Sequence, residues 1–155
     1  MQKPPTQTER MTREWTIRLK TVSEANSSEH WTAKAKRHKS QQHFVRLLYE
    51  THIKDVGLPC TITLTRLSPR QLDDDNLVTS MKYIRDELSE CILPELRKTY
   101  VTRKGHLAFI KGRADSDPRI RWKYDQKKSP MLEIKITIEE HQELGSIQNS
   151  SDPFT

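Results

Sequence analysis

The stretch CTITLTRLSPRQLDDDNLVTSMKYIRDEL, residues 60–88, decides how this chain folds. Its first part, CTITLTRL, is rich in β-branched residues and reads as a strand. From Leu77 onward the apolar positions Leu77, Met81, Ile84 and Leu88 recur at helical spacing and make one stripe for burial. Between strand and helix stand three aspartates, Asp73, Asp74 and Asp75. Asp73 and Asp75 follow the strand in what is expected to be extended backbone, where residues two apart point the same way and Asp74 points away from them. Asp75, Thr79, Lys82 and Asp86 repeat at the helical spacing of the stripe but two residues earlier, roughly 200° around the helix, facing away from the core.

Helix chemistry explains part of this run. An aspartate is a good N-cap, and acids in the first turn stabilise the helix dipole by about 0.3 to 1 kcal/mol each. That accounts for one carboxylate or two, and three adjacent ones repel. A hard divalent cation, which prefers oxygen ligands, relieves that repulsion best. A calcium EF-hand is excluded, because Val78 stands where the loop needs glycine and Ile84 where it needs a bidentate glutamate. A second acidic cluster lies in GRADSDPRIRWKY, where Asp115 and Asp117 precede another strand at the same i, i+2 spacing. Read alone, it is an ordinary Asp-Pro turn. If adjacent strands bring their ends close, the two clusters converge as a magnesium site for phosphodiester hydrolysis requires.

Outward from this centre, REWTIRLKT alternates, with Trp15, Ile17 and Leu19 on one side, and reads as a half-buried strand. EANSSEHW offers Asn26 as an N-cap with Glu29 three residues on, predicting a helix over 27–52 that VGLP ends. RIRWKY puts Ile120, Trp122 and Tyr124 on one face. MLEIKITIEE does the same with Leu132, Ile134, Ile136 and Ile138. The order β-α-β-α-β-β describes a single α/β (α+β) domain over 13–141, a small mixed sheet covered by two main helices. The polar ends, 1–12 and 142–155, read as disordered tails.

Composition narrows the partners. The chain has 155 residues, 33% hydrophobic and 31% charged, so its core is thin and of a kind that often relies on a partner subunit. A formal charge of +6 favours a polyanion such as nucleic acid. Cys60 and Cys91 match no zinc or CxxC spacing and read as reduced thiols of a cytoplasmic protein. No apolar run approaches the ~18 residues of a membrane span, and MQKPPTQTER lacks a signal-peptide core. Lys34, Lys36, Arg37 and Lys39 lie within six residues of the first helix, with His38 among them. They are read as surrounding the helix rather than pairing with acids, which favours phosphate contact over a plainly solvated face. The remaining histidines, His30, His43, His52, His106 and His141, form no ligand set.

Taken together, LDDDNL, a following helix with lysine and RDEL, and DSDPRIRWKYDQK before a final strand resemble the RusA family of Holliday-junction resolvases, especially its bacteriophage and prophage members. SEANSSEHWTAKAKRHKSQQ resembles the segment those members carry after their first strand, and the similarity covers roughly residues 13–139. The resemblance implies a homodimeric, Mg²⁺-dependent endonuclease, with Mn²⁺ as a substitute, that nicks opposed strands of a four-way DNA junction symmetrically in recombination and repair. The family's paired acidic ligands fall on Asp73 and Asp75, with Asn76 and Leu77 completing the motif. Its third acid falls on Asp117 if the spacing to Ile120 is kept, and on Asp115 otherwise. Two departures stand out. Thr79 occupies the position of the functional lysine of many compact members, and Lys82 comes one turn later on the same face. The segment 91–114 is longer than the usual connection and carries Arg97, Lys98, Arg103, Lys104, Lys111 and Arg113 with Tyr100, His106 and Phe109 interleaved. It reads as a hairpin or a mobile arm, either contacting DNA, through Arg103 and Lys104, or an ornament without a direct role. The alternatives to a resolvase are a junction- or fork-binding protein with weak or no cleavage, a less specific nuclease, and a structural domain.

Overall fold

A computed structural model describes residues 11–110 and 113–141. In chain order the elements are β1 (Met11–Arg18), α1 (Trp31–Leu48), β2 (Cys60–Ser68), α2 (Asp74–Ser80), α3 (Lys82–Ile92), β3 (Lys98–Val101), β4 (Leu107–Ile110), β5 (Ile120–Lys128) and β6 (Glu133–Glu140). Four strands form one mixed sheet in the order β1-β6-β2-β5, in which only β2 and β5 run parallel. A parallel pair needs a long crossover, and α2 and α3 lie in the connection between the two strands.

Alternation sorts the two faces. One row across the sheet reads Trp15, Ile136, Leu64 and Tyr124; the next reads Thr16, Lys135, Thr65 and Asp125. The apolar rows face the helices, so Ile62, Leu64, Ile134, Ile136 and Ile138 are sealed against Val45 of α1 and against Leu77, Met81, Ile84 and Leu88. The polar rows form the opposite face, as a sheet with helices on one side allows. An ion pair of 2.6 Å from Arg46 to the buried Glu87 ties α1 to α3.

Four expectations are corrected. The first helix begins at Trp31, because His30 caps it, its Nδ1 accepting from the Thr32 N–H at 3.4 Å. Asn26 and Glu29 stay outside the helix, with Glu29 drawn to Arg37 instead. At its other end α1 widens into a π-turn, Tyr49–Ile53, before Lys54 and Asp55 reverse the chain at φ 41° and 42°. The second helix is two helices, broken at Met81 (φ −96°, ψ −2°), yet the apolar stripe survives because Met81 is itself buried. Met11 and Thr12, expected in the tail, pair with Glu140 and Glu139 in the sheet. The tails at 1–10 and 142–155, and Lys111, lie outside the described residues. Leu132, expected on the inward face, precedes β6 and is 43% exposed.

The segment 91–114 contains the end of α3, a 3₁₀ turn at Pro94–Leu96, and the hairpin of β3 and β4, which forms a sheet separate from the main one. Among the described residues no helix is long and apolar enough to cross a membrane. Both cysteines are free. Burial, with Glu140 adding to it, pushes the Cys60 thiol up to about 11; burial does the same at Cys91, against a lowering by Arg46. The folded thiols therefore stay protonated where unfolded ones begin to ionise. Their contribution to stability is full below pH 9 and is lost as pH rises through 11. At pH 8 a disulfide reagent is expected to titrate the native thiols on the order of a hundredfold more slowly than those of the denatured chain. Equal rates would mean that neither thiol is enclosed.

Candidate active site

The acidic run hangs from three clamps. Arg66, buried in β2, donates from Nη1 to the Arg70 carbonyl at 2.6 Å, and from Nε to Thr21 Oγ1 at 3.0 Å, despite a pKa that burial lowers. Gln126 of β5 closes a reciprocal pair on Leu72: the Leu72 N–H donates to Oε1 at 2.9 Å, and Nε2 donates to the Leu72 carbonyl at 2.6 Å. Ser23 donates from Oγ to Asn76 Oδ1 at 2.7 Å. The segment Arg70–Asn76 is thereby tied to β2 and β5 and, at Asn76, to the loop after β1, where a free loop would have cost entropy to order on binding. Sequence reasoning assigned none of these three residues a role, although Gln126 stands within the quoted DSDPRIRWKYDQK.

Asp73 is the residue left in extended backbone (φ −68°, ψ 165°), and its Oδ1 accepts from the Asn76 N–H at 3.0 Å as the N-cap of α2. Asp74 and Asp75 already belong to the first helical turn. Asp73 and Asp75 therefore do not project side by side, as extended backbone would have made them, because capping starts the helix inside the aspartate run. The expected meeting of strand ends also fails. The parallel register pairs Cys60 with Ile120 and Ser68 with Lys128. The first acidic cluster follows the end of β2 and the second precedes the start of β5, so strands of about 26 Å separate them.

The helices shorten this distance by running back over the sheet. Thr79 and Lys82 line a cavity of about 130 Å³ together with Val78, Arg85, Asp86, Asp115 and Tyr124. Asp75 sits one helical turn before Thr79, whose Oγ1 donates to the Asp75 carbonyl at 2.9 Å. Asp115 reaches the cavity because its backbone is fixed from two sides. Its carbonyl accepts from Arg85 Nη2 at 2.8 Å and from Trp122 Nε1 at 3.0 Å. Arg85 also donates to the Tyr124 hydroxyl at 2.8 Å, lies 5.3 Å from the Trp122 ring centre, and has Nε 3.7 Å from Asp115 Oδ2.

Asp117 is engaged elsewhere. The residues Ala114–Ser116 form a 3₁₀ turn, so Asp115 and Asp117 do not point the same way as the i, i+2 spacing implied. Asp117 Oδ1 accepts from the Arg119 backbone N–H and from its Nε, each at 3.0 Å, and these bonds hold its carboxyl below the usual range. Arg85 and Asp86, which complete the cavity, were not among the expected site residues. Among the described residues no three His, Cys, Asp or Glu side chains form a group that could hold a metal ion.

Lys82 is exposed, with Nζ 5.9 Å from the centre of the Tyr83 ring, and Tyr83 stacks on His38 of α1 with centroids 3.6 Å apart. His38 Nε2 is in turn 3.1 Å from Glu24 Oε1. The basic cluster of α1 is therefore not free of acids. Arg37 grips Glu24 at 2.6 and 3.3 Å, and Lys34 lies 3.8 Å from the same carboxylate. Burial raises the Glu24 pKa, but the hydrogen bonds from Arg37 and His38 outweigh it and the net shift is downward. Lys36 and Lys39 remain exposed on the helix, as do Arg103 and Lys104 at the hairpin turn. Compared with protein-family models, curated proteins and solved structures, the chain matches none.

Proposed function

We propose that the protein is a structure-specific DNA endonuclease that cuts branched, four-way junctions by hydrolysing a phosphodiester in the cavity beside Thr79 and Lys82. The observation that supports this reading is that cavity: cations from α3 face a carboxylate from a segment that the sheet alone would hold far away. A small cleft edged by the charged Lys82, Arg85, Asp86 and Asp115, with Asp75 one helical turn before Thr79, offers charges of the kind phosphate hydrolysis uses. The chain carries a net charge of +6, and its exposed Lys36, Lys39, Arg103 and Lys104 would hold the flanking backbone. Action as a homodimer in the cytoplasm belongs to the same proposal.

Mg²⁺ is commonly held by one or two carboxylates plus waters and substrate phosphate, not by a full protein cage. Asp75 and Asp115 are the carboxylates that would hold the ion in that open mode; among the described residues no three-carboxylate group is formed. When bound, the ion would activate water and neutralise charge on the phosphate. Lys82 supplies the positive charge for the developing transition state, and Arg85 fixes Asp115 while adding its own charge to the cavity wall. The threonine at position 79, together with the lack of a preformed cage among the described residues, favours one second reading, a junction-binding protein that cuts weakly.

The deciding experiment is cleavage of a synthetic four-way junction against a linear duplex of the same arms, with and without Mg²⁺. Paired Mg²⁺-dependent nicks on the junction alone are expected; tight binding without nicks in Mg²⁺ or Mn²⁺ would select the second reading. Lys82→Ala is expected to slow cleavage by about 100-fold while junction affinity changes by less than about threefold. Unchanged turnover would remove Lys82 from the site.

A further inference from the structure

The hairpin of β3 and β4 is built unlike the rest of the surface. From Arg97 to Arg113 the sequence contains Arg97, Lys98, Arg103, Lys104, Lys111 and Arg113 and no Asp or Glu. Its last cross-strand pair, Val101 opposite Leu107, is left 68% and 64% exposed, and Tyr100, on the other face of the ribbon, is 47% exposed. The turn beyond them is closed. The Gly105 N–H donates to the Thr102 carbonyl at 2.8 Å, the Thr102 N–H to the His106 carbonyl at 2.9 Å, and the His106 N–H to Thr102 Oγ1 at 3.1 Å. Gly105 adopts φ 79°, the left-handed conformation that glycine takes without strain. This turn sets Arg103 and Lys104 at the very end of the ribbon, directly above apolar side chains on both of its faces.

We propose that this hairpin is a wedge that enters the branch point of a DNA junction, and the proposal rests on the DNA reading above. Intact duplex offers apolar side chains little surface, since its base faces are stacked. A branch point exposes those faces between two closely spaced phosphate chains. A ribbon with apolar contacts on both faces and cations at its tip is complementary to that feature: Val101 and Leu107 cover one base face, Tyr100 the other, and Arg103 and Lys104 meet the phosphates. An acidic protein surface would answer the cations but would leave the two-faced apolar tip unexplained.

The test uses the full chain and a four-way junction carrying 2-aminopurine at the branch, in Ca²⁺ to prevent cutting. Wild-type binding is expected to brighten the probe at least about twofold by unstacking it. Val101→Ser with Leu107→Ser should remove the brightening and lower the preference for junction over duplex by about tenfold, with the salt dependence of binding unchanged. Arg103→Ala with Lys104→Ala should keep the brightening at saturation but reduce the salt slope by about 1 to 2. Both pairs are exposed, and an unchanged melting temperature shows that they fold. A serine variant that brightens the probe and prefers junctions as the wild type does overturns the wedge alone. So does a serine variant whose only change is loss of self-association, since the hairpin would then join copies of the chain. A wild type that binds neither DNA sinks the endonuclease reading first.

Discussion

Asp75→Asn is expected to lower junction cutting by at least about 1,000-fold, or about 4 kcal/mol on the barrier, while binding is kept or strengthened. The substitution is nearly isosteric and leaves the local scaffold alone. Asp75 is exposed, the hydrogen bond from Thr79 goes to its backbone carbonyl, and the N-cap of α2 belongs to Asp73. What disappears is one negative charge beside the cavity, which repels DNA and would hold the metal. A single-turnover cleavage assay paired with a binding titration separates the two effects. Loss of binding together with cutting would assign Asp75 to the fold. The neighbouring Asp73 gives a control of opposite design. Asparagine caps a helix about as well as aspartate, whereas alanine costs about 1 kcal/mol of stability. If Asp73→Asn cuts normally and Asp73→Ala merely melts earlier, Asp73 is a cap and not a ligand.

The features that local period controls were legible in the sequence. The alternation of Trp15 with Ile17, or of Ile134 with Ile136 and Ile138, and the helical recurrence of Leu77, Met81, Ile84 and Leu88 each follow from which face meets water, and the buried set matches them. What could not be read depends on partners far along the chain. The parallel register of β2 with β5, which puts the two acidic clusters beyond opposite strand ends, is fixed by the whole crossover and not by either strand. The capping that starts α2 at Asp74 was in reach, since an aspartate before an apolar helix is a start signal, but it competes with the extended reading of the same three residues. The pairing of Arg37 with Glu24 was also within reach, because both stand in the one quoted segment SEANSSEHWTAKAKRHKSQQ and the loop folds back on the first turns of α1.

The choice between Asp115 and Asp117 is where spacing and structure disagree, and it gives the second large effect. The family resemblance, with its spacing to Ile120 kept, implies Asp117, whereas the cavity is lined by Asp115, which Arg85 holds from 30 residues away. Asp115→Asn is therefore expected to reduce cutting by at least about 300-fold, or about 3.4 kcal/mol on the barrier. Its backbone carbonyl keeps both donors, Arg85 and Trp122, so the turn at Ala114–Ser116 should persist. Asp117→Asn should change turnover by less than about threefold, or under 1 kcal/mol, because its carboxylate is spent on Arg119. The Asp117 pair has its own signature. A carboxyl held below its ordinary range contributes stability above the unfolded pKa, near 3.8, and loses it as pH falls through the depressed value. Asp117→Asn should thus narrow the difference in melting temperature between neutral and strongly acid solution. Were Asp117→Asn to abolish cutting and Asp115→Asn to spare it, the catalytic carboxylate would lie outside the cavity. The ion pair with Arg119 would then have to open before phosphate could be cut.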